Sequence, residues 1–108
     1  MKEIVIEEGG VFKKFFEHHK IYEEKIREKI YQTNELIANS PHKIKTVRFY
    51  KYLHKTIYEY KIPLDSHLDC RVAYIFWEDK IVFFYISTNI LKATFTKEVG
   101  KLSGVSKG

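Results

Sequence analysis

The chain has 108 residues, with 19 Lys or Arg against 14 Asp or Glu, for a net charge of +5. That length suits one domain, and 44% hydrophobic with 31% charged residues is a globular rather than a disordered composition. A single cysteine, Cys70, excludes an internal disulfide and cannot build a zinc site alone. No apolar run approaches the ~18 residues of a membrane-spanning helix. The opening Met1-Lys2-Glu3-Ile4 lacks the apolar core of a signal peptide. With an unpaired thiol, these features lead us to expect a reducing, cytoplasmic location and no membrane partner.

Residues 2–8 alternate, with Ile4 and Ile6 on one side and Glu3, Val5 and Glu7 on the other, which predicts a short edge strand. Gly9-Gly10 breaks it. Apolar residues then recur at helical spacing, first Val11, Phe12, Phe15 and Phe16 up to His18-His19-Lys20, then Tyr22, Ile26, Ile30, Thr33 and Ile37. Glu23 and Glu24 fall in the first turn of the second stretch, where the helix dipole favours anions, and Asn39-Ser40-Pro41 ends it. The pattern predicts two helices in a hairpin, or alternatively one long helix. From Thr46 onward it turns to β, with strands predicted over 56–64, 70–78 and 80–88. The last is apolar on both faces around Ile81-Val82-Phe83-Phe84-Tyr85-Ile86, as a central strand is. Short connections predict an antiparallel meander. Residues 91–102 have weak helical periodicity, and 104–108 are expected to fray. This order predicts an α+β fold: an N-terminal strand and two helices packed on one face of a mainly antiparallel, twisted sheet. The other face is expected to stay partly open, lined by Glu59, Lys61, Arg71, Ala73 and Trp77, with Cys70 turned towards the helices as a small apolar residue.

The charge is uneven. Residues 1–41 hold seven basic and eight acidic side chains, and residues 42–108 hold twelve and six. The densest basic segment runs from His42 to Lys61 and carries Lys43, Lys45, Arg48, Lys51, Lys55 and Lys61 against Glu59 alone, interleaved with Phe49, Tyr50, Tyr52, Tyr58 and Tyr60. Cations displace counterions from phosphates and rings stack on bases, so this composition suits nucleic acid; a solvated lysine-rich face has it too. Arg71 stands in an apolar strand and shares a face with Glu59 and Lys61. Two cations and a carboxylate on one surface could hold a phosphate, stabilise its added charge and take a 2′-hydroxyl proton. The same spacing also reads as an ordinary cross-strand ion pair. His54, before the strand containing Tyr58, is a candidate acid or base by its titration range, or an exposed loop histidine. No histidine pair has metal-site spacing, and neither a metal nor a cofactor is expected.

Three stretches resemble a known family: Tyr52-Leu53-His54-Lys55-Thr56-Ile57-Tyr58-Glu59-Tyr60-Lys61-Ile62, then Cys70-Arg71-Val72-Ala73-Tyr74, then Lys80-Ile81-Val82-Phe83-Phe84-Tyr85-Ile86-Ser87. Together with the strand and helix pair before them, they resemble the RelE/HigB/ParE toxin superfamily, closest to its HigB-like branch. The resemblance implies a RelE-like, microbial-RNase-type fold over residues 1–108 and a toxin of a type II toxin–antitoxin system. RelE- and HigB-like members cleave mRNA, commonly on the ribosome, by 2′-hydroxyl attack that leaves a 2′,3′-cyclic phosphate. ParE-like members poison DNA gyrase instead, and a degenerate member would only bind RNA or antitoxin.

By the same resemblance, Arg71 would stabilise the phosphate, Lys61 would bind it, and Glu59 or His54 would accept the proton. Lys51, Lys55, Lys92 and Arg48 would contact RNA. The partners implied are a cognate antitoxin protein, in a hetero-oligomer, with mRNA and the ribosome. The chain departs from the family after its last strand, where Lys92 stands alone and Phe95 lies near the expected aromatic. Its loop between Lys61 and Arg71 is also longer than in compact members.

Overall fold

Alternation at the N-terminus condenses into a first strand, β1 (Glu3–Ile6), in a computed structural model that describes residues 1–89 and 91–108. Gly10, at φ 64°, turns the chain into α1 (Val11–His18), which buries Phe12, Phe15 and Phe16. The second helical stretch is two helices, α2 (Glu23–Tyr31) and α3 (Thr33–Asn39), not one. Thr33 marks the break. Its hydroxyl donates to the Ile30 carbonyl at 2.5 Å and meets the Tyr60 hydroxyl at 2.8 Å, which ties the start of α3 to the sheet. Short 3₁₀ turns, Lys20–Tyr22 and Pro41–Lys43, flank the pair.

The sheet has six strands: β1, β2 (Lys45–Tyr52), β3 (Lys55–Pro63), β4 (Asp69–Trp77), β5 (Lys80–Ser87) and β6 (Val105–Lys107), in the order β1-β5-β4-β3-β2-β6. β1 runs parallel to β5, while every other pairing is antiparallel, so the sheet is mixed and the fold α+β. The expected meander is β3–β4–β5, and β1 lies at an edge as predicted. One bulge matters to the core. Between the pairs Ala73↔Tyr85 and Tyr74↔Phe83, Phe84 is an extra residue on β5. The extra residue resets the side-chain alternation, so Phe83 and Ile86 both face the helices while Phe84 faces the opposite side.

β2 was not anticipated as a strand. It pairs Thr46 with Tyr58 and then Lys51 with Thr56, so four of its residues, 47–50, stand opposite Ile57 alone. Such a wide bulge destroys the period-two pattern that marks strands in a sequence. β2 and β3 are joined by Leu53-His54, both at positive φ (51° and 65°), as a two-residue hairpin demands.

Two apolar cores flank the sheet. On one side, α1, α2 and α3 cover Tyr60, Ile62, Cys70, Val72, Tyr74, Ile81 and Phe83, and Cys70 faces the helices as expected. The other face is not open. Residues 92–100 form α4 (Lys92–Gly100), whose Phe95 and Val99 pack on Val47, Ile57, Ala73, Ile75 and Phe84. The helical periodicity over 91–102 is weak, and does not show that the helix covers this face, because it buries only those two large side chains. Residues 105–107, expected to fray, instead form β6 against β2, pairing Val105 with Tyr52 and Lys107 with Tyr50. Among the described residues, no helix is long and apolar enough to cross a membrane.

Candidate nucleic-acid interface

Four elements meet at one end of the sheet: the start of β2, the end of β3, the start of β4 and the first turn of α4. Antiparallel register sets Lys61 directly opposite Arg71, Arg71 opposite Ser87, and Lys45 opposite Glu59. Directly paired residues share a face, so Lys45, Glu59, Lys61 and Arg71 all belong to the α4 side. The outcome is a cavity of about 460 Å³ lined, among the described residues, by Lys43, Lys45, Lys61, Arg71 and Lys92, with Pro63 as an uncharged wall. The lysines are solvent-exposed, whereas the Arg71 side chain keeps only 14% of its surface accessible.

Among the described residues, Glu59 and Phe95 both hold Arg71. Its Nη1 donates to Oε1 of Glu59 at 2.6 Å, and its guanidinium lies over the Phe95 ring, 5.9 Å from the centroid. Glu59 is wholly buried. A buried carboxylate costs several kcal/mol in lost hydration, and the adjacent guanidinium is what offsets that cost. Glu59 Oε2 has no hydrogen-bond partner among the described residues.

Neither expected proton acceptor is among the residues that line the cavity. Glu59 is expected on an open face, but α4 roofs that face and the carboxylate is out of solvent, bonded to Arg71. His54 was the alternative acceptor. It sits exposed at the β2–β3 hairpin tip, five residues from Glu59 along β3 and so roughly 17 Å away at the rise of an extended strand. It does not join the cavity.

The remaining expected residues separate into two groups. Lys61, Arg71 and Lys92 converge on the cavity. Lys51 and Lys55 lie at the hairpin end, where Lys51 donates to Thr56 and the Lys55 ammonium sits 5.4 Å from the Trp77 ring. Arg48 lies between them on the β2 bulge. Lys43 and Lys45 line the cavity but were read only as part of the basic segment. Their signal was available as local charge density, while their convergence with Lys92 depends on α4.

The cavity is not wholly uncompensated. Lys61 Nζ lies 3.8 Å from Asp69, a half-exposed pair that contributes little and is readily exchanged for another anion. Among the described residues, no group of three or more His, Cys, Asp or Glu side chains could hold a metal ion. Compared with known proteins, the chain matches no family model, no curated protein and no solved structure. Five cations around one concavity can bind a phosphate or another compact polyanion and stabilise charge that develops on it.

Proposed function

We propose that the protein is an RNA-directed toxin of the RelE/HigB type, a metal-independent endoribonuclease that acts on mRNA, commonly ribosome-bound, and is held in check by an antitoxin protein. One observation carries the reading: Arg71 and Lys61, which the family resemblance puts at the scissile phosphate, and Lys92, which it gives as an RNA contact, line one cavity together with Lys43 and Lys45. In the reaction, the ribose 2′-hydroxyl passes its proton to solvent water as its oxygen attacks the adjacent phosphorus, the P–O5′ bond breaks, and the departing 5′-oxygen takes a proton from a lysine ammonium that solvent then reprotonates. The products are a 2′,3′-cyclic phosphate and a 5′-hydroxyl. The five-coordinate phosphorus carries an extra negative charge, and a guanidinium fixed by Glu59 and Phe95 meets it without reorganising. Lysine ammonium groups neutralise the flanking phosphates and the departing oxygen.

A second reading has its own support. With Glu59 buried and His54 at the far hairpin tip, no carboxylate or histidine among the described residues lines the cavity. A member of the fold that binds RNA or antitoxin without cutting would look the same. Gyrase poisoning has no such specific support.

The test is expression without antitoxin, followed by mapping of mRNA ends. Growth arrest, with new ends bearing 2′,3′-cyclic phosphate that Lys61→Ala removes, supports the nuclease. Retained RNA binding with intact mRNA favours the binding protein. Cleaved DNA with intact mRNA points to gyrase. Harmless expression with intact mRNA and no RNA binding sinks the proposal.

A further inference from the structure

Phe49 exposes 71% of its surface, far more than an apolar ring of that size needs to in a chain with two cores. It lies in the wide β2 bulge at a φ of 75°, a conformation that residues with a Cβ adopt rarely. Both ends of the bulge are anchored. Val47 is buried on one side, Tyr50 pairs with Lys107 on the other, and the Gly108 amide donates to the Phe49 carbonyl at 3.0 Å. The backbone thus holds the ring outward.

Around Phe49 the structure forms a second cavity, of about 570 Å³, between β2 and the outer side of α4. Its lining includes Tyr50, Ala93 and Thr96 and the charged Arg48, Lys92 and Lys97, with no carboxylate among the described residues. Lys92 also lines the five-cation cavity, so the two concavities adjoin across one side chain that stands between Arg71 and Phe49. A flat aromatic surface flanked only by cations suits a polyanion that carries planar apolar groups. Single-stranded nucleic acid is such a ligand, whereas in a duplex the base faces are already stacked.

We propose that Phe49 is the stacking platform of a nucleobase subsite. One unpaired base of a single-stranded RNA lies on the ring, Arg48 and Lys97 hold the phosphates beside it, and Lys92 bridges to the phosphate at Arg71. This subsite rests on the RNA-directed reading above. It adds a contact to a base face, which tolerates any sequence but requires the strand to be unpaired at that point.

The test compares two labelled probes by fluorescence anisotropy: a ten-nucleotide single-stranded RNA and an abasic ribose-phosphate strand of the same length. Phe49→Gly suits the positive φ and should fold with an unchanged melting temperature. It should weaken RNA binding about tenfold or more and leave the abasic strand unaffected, while Phe49→Trp should restore binding. Lys61→Gln should weaken both probes. If Phe49→Gly leaves RNA binding intact, or weakens both probes equally, the stacking subsite is wrong. In that case, a loss with Lys61→Gln would still leave the phosphate reading standing. If the wild-type protein binds neither probe, the RNA-directed reading falls first. If an acidic decapeptide displaces the RNA from wild type but not from Phe49→Gly, the ring is a protein contact and the proposal is overturned.

Discussion

Glu59 lies beneath Arg71, with its Oε1 2.6 Å from Nη1, and the carboxylate is fully buried while the guanidinium reaches the wall of a basic cavity. The pair links stability to function. Replacing Arg71 by Met leaves an uncompensated buried carboxylate, at a cost of about 3–5 kcal/mol. For a domain of this size each kcal/mol lowers the melting temperature by about 4 °C, so a fall of roughly 12–20 °C is expected. Adding Glu59→Gln to Arg71→Met should recover more than half of it. A double-mutant cycle by thermal melting measures the coupling; strictly additive losses would contradict the assigned pairing.

The cavity lysines should act as phosphate contacts and the α1 lysines should not. Log affinity for single-stranded RNA falls with log salt by about 0.7 per phosphate contact, so Lys43→Gln, Lys45→Gln, Lys61→Gln or Lys92→Gln should each reduce the slope by about that amount. Lys13→Gln and Lys14→Gln, on the other side of the sheet, should leave it unchanged. Equal effects from both sets would mean that bulk charge alone governs binding.

Acid should weaken a second ion pair in a defined direction. Glu8 accepts two bonds from Arg27, at 2.7 and 2.8 Å, and these hold its carboxyl below its ordinary value of 4.5. Between the folded and ordinary values the unfolded chain binds more protons. The pair's contribution is therefore complete above 4.5 and is lost as pH falls through the lowered folded value. Glu8 is more than half exposed, so the contribution is at most about 1 kcal/mol. Melting curves across pH should show Glu8→Gln below wild type near neutrality and level with it at the acid end. A gap that is the same at every pH would rule out this linkage.

Cys70 should be chemically silent in the native protein. Burial, with a smaller effect from Asp69, pushes its thiol up to about 12, so almost no thiolate exists near neutrality. A thiol reagent at about pH 8 should fail to react until guanidinium unfolds the chain, when one equivalent should appear. Rapid native labelling would show that the α1–α3 side opens easily.

The sequence disclosed the meander better than its surroundings. Alternation in β3 and β4 assigned Tyr60, Ile62, Cys70 and Val72 to one face and Ile57, Lys61 and Arg71 to the other, as found. It could not show that the second face is covered, because α4 contributes only Phe95 and Val99 to that core. Glu59 was consequently placed in solvent. β2 escaped notice because its bulge removes the alternation, and with it went the reason to bring Lys43 and Lys45 to the cavity. Lys61, Arg71 and Lys92 were legible because two sit opposite each other in register and the third heads α4, soon after the last long strand. The choice between His54 and Glu59 as proton acceptor had no local signal, since hairpin length and helix cover decide both.

The parallel pairing of β1 with β5 sets an order of events during synthesis. Ile6 finds its neighbour Phe83 only after 77 further residues are made, which takes about 4–15 s at typical elongation rates. Over that interval the Phe12, Phe15 and Phe16 face of α1 has helices beside it but no sheet to settle on. The nascent chain thus carries an unsatisfied apolar face until its last long strand emerges.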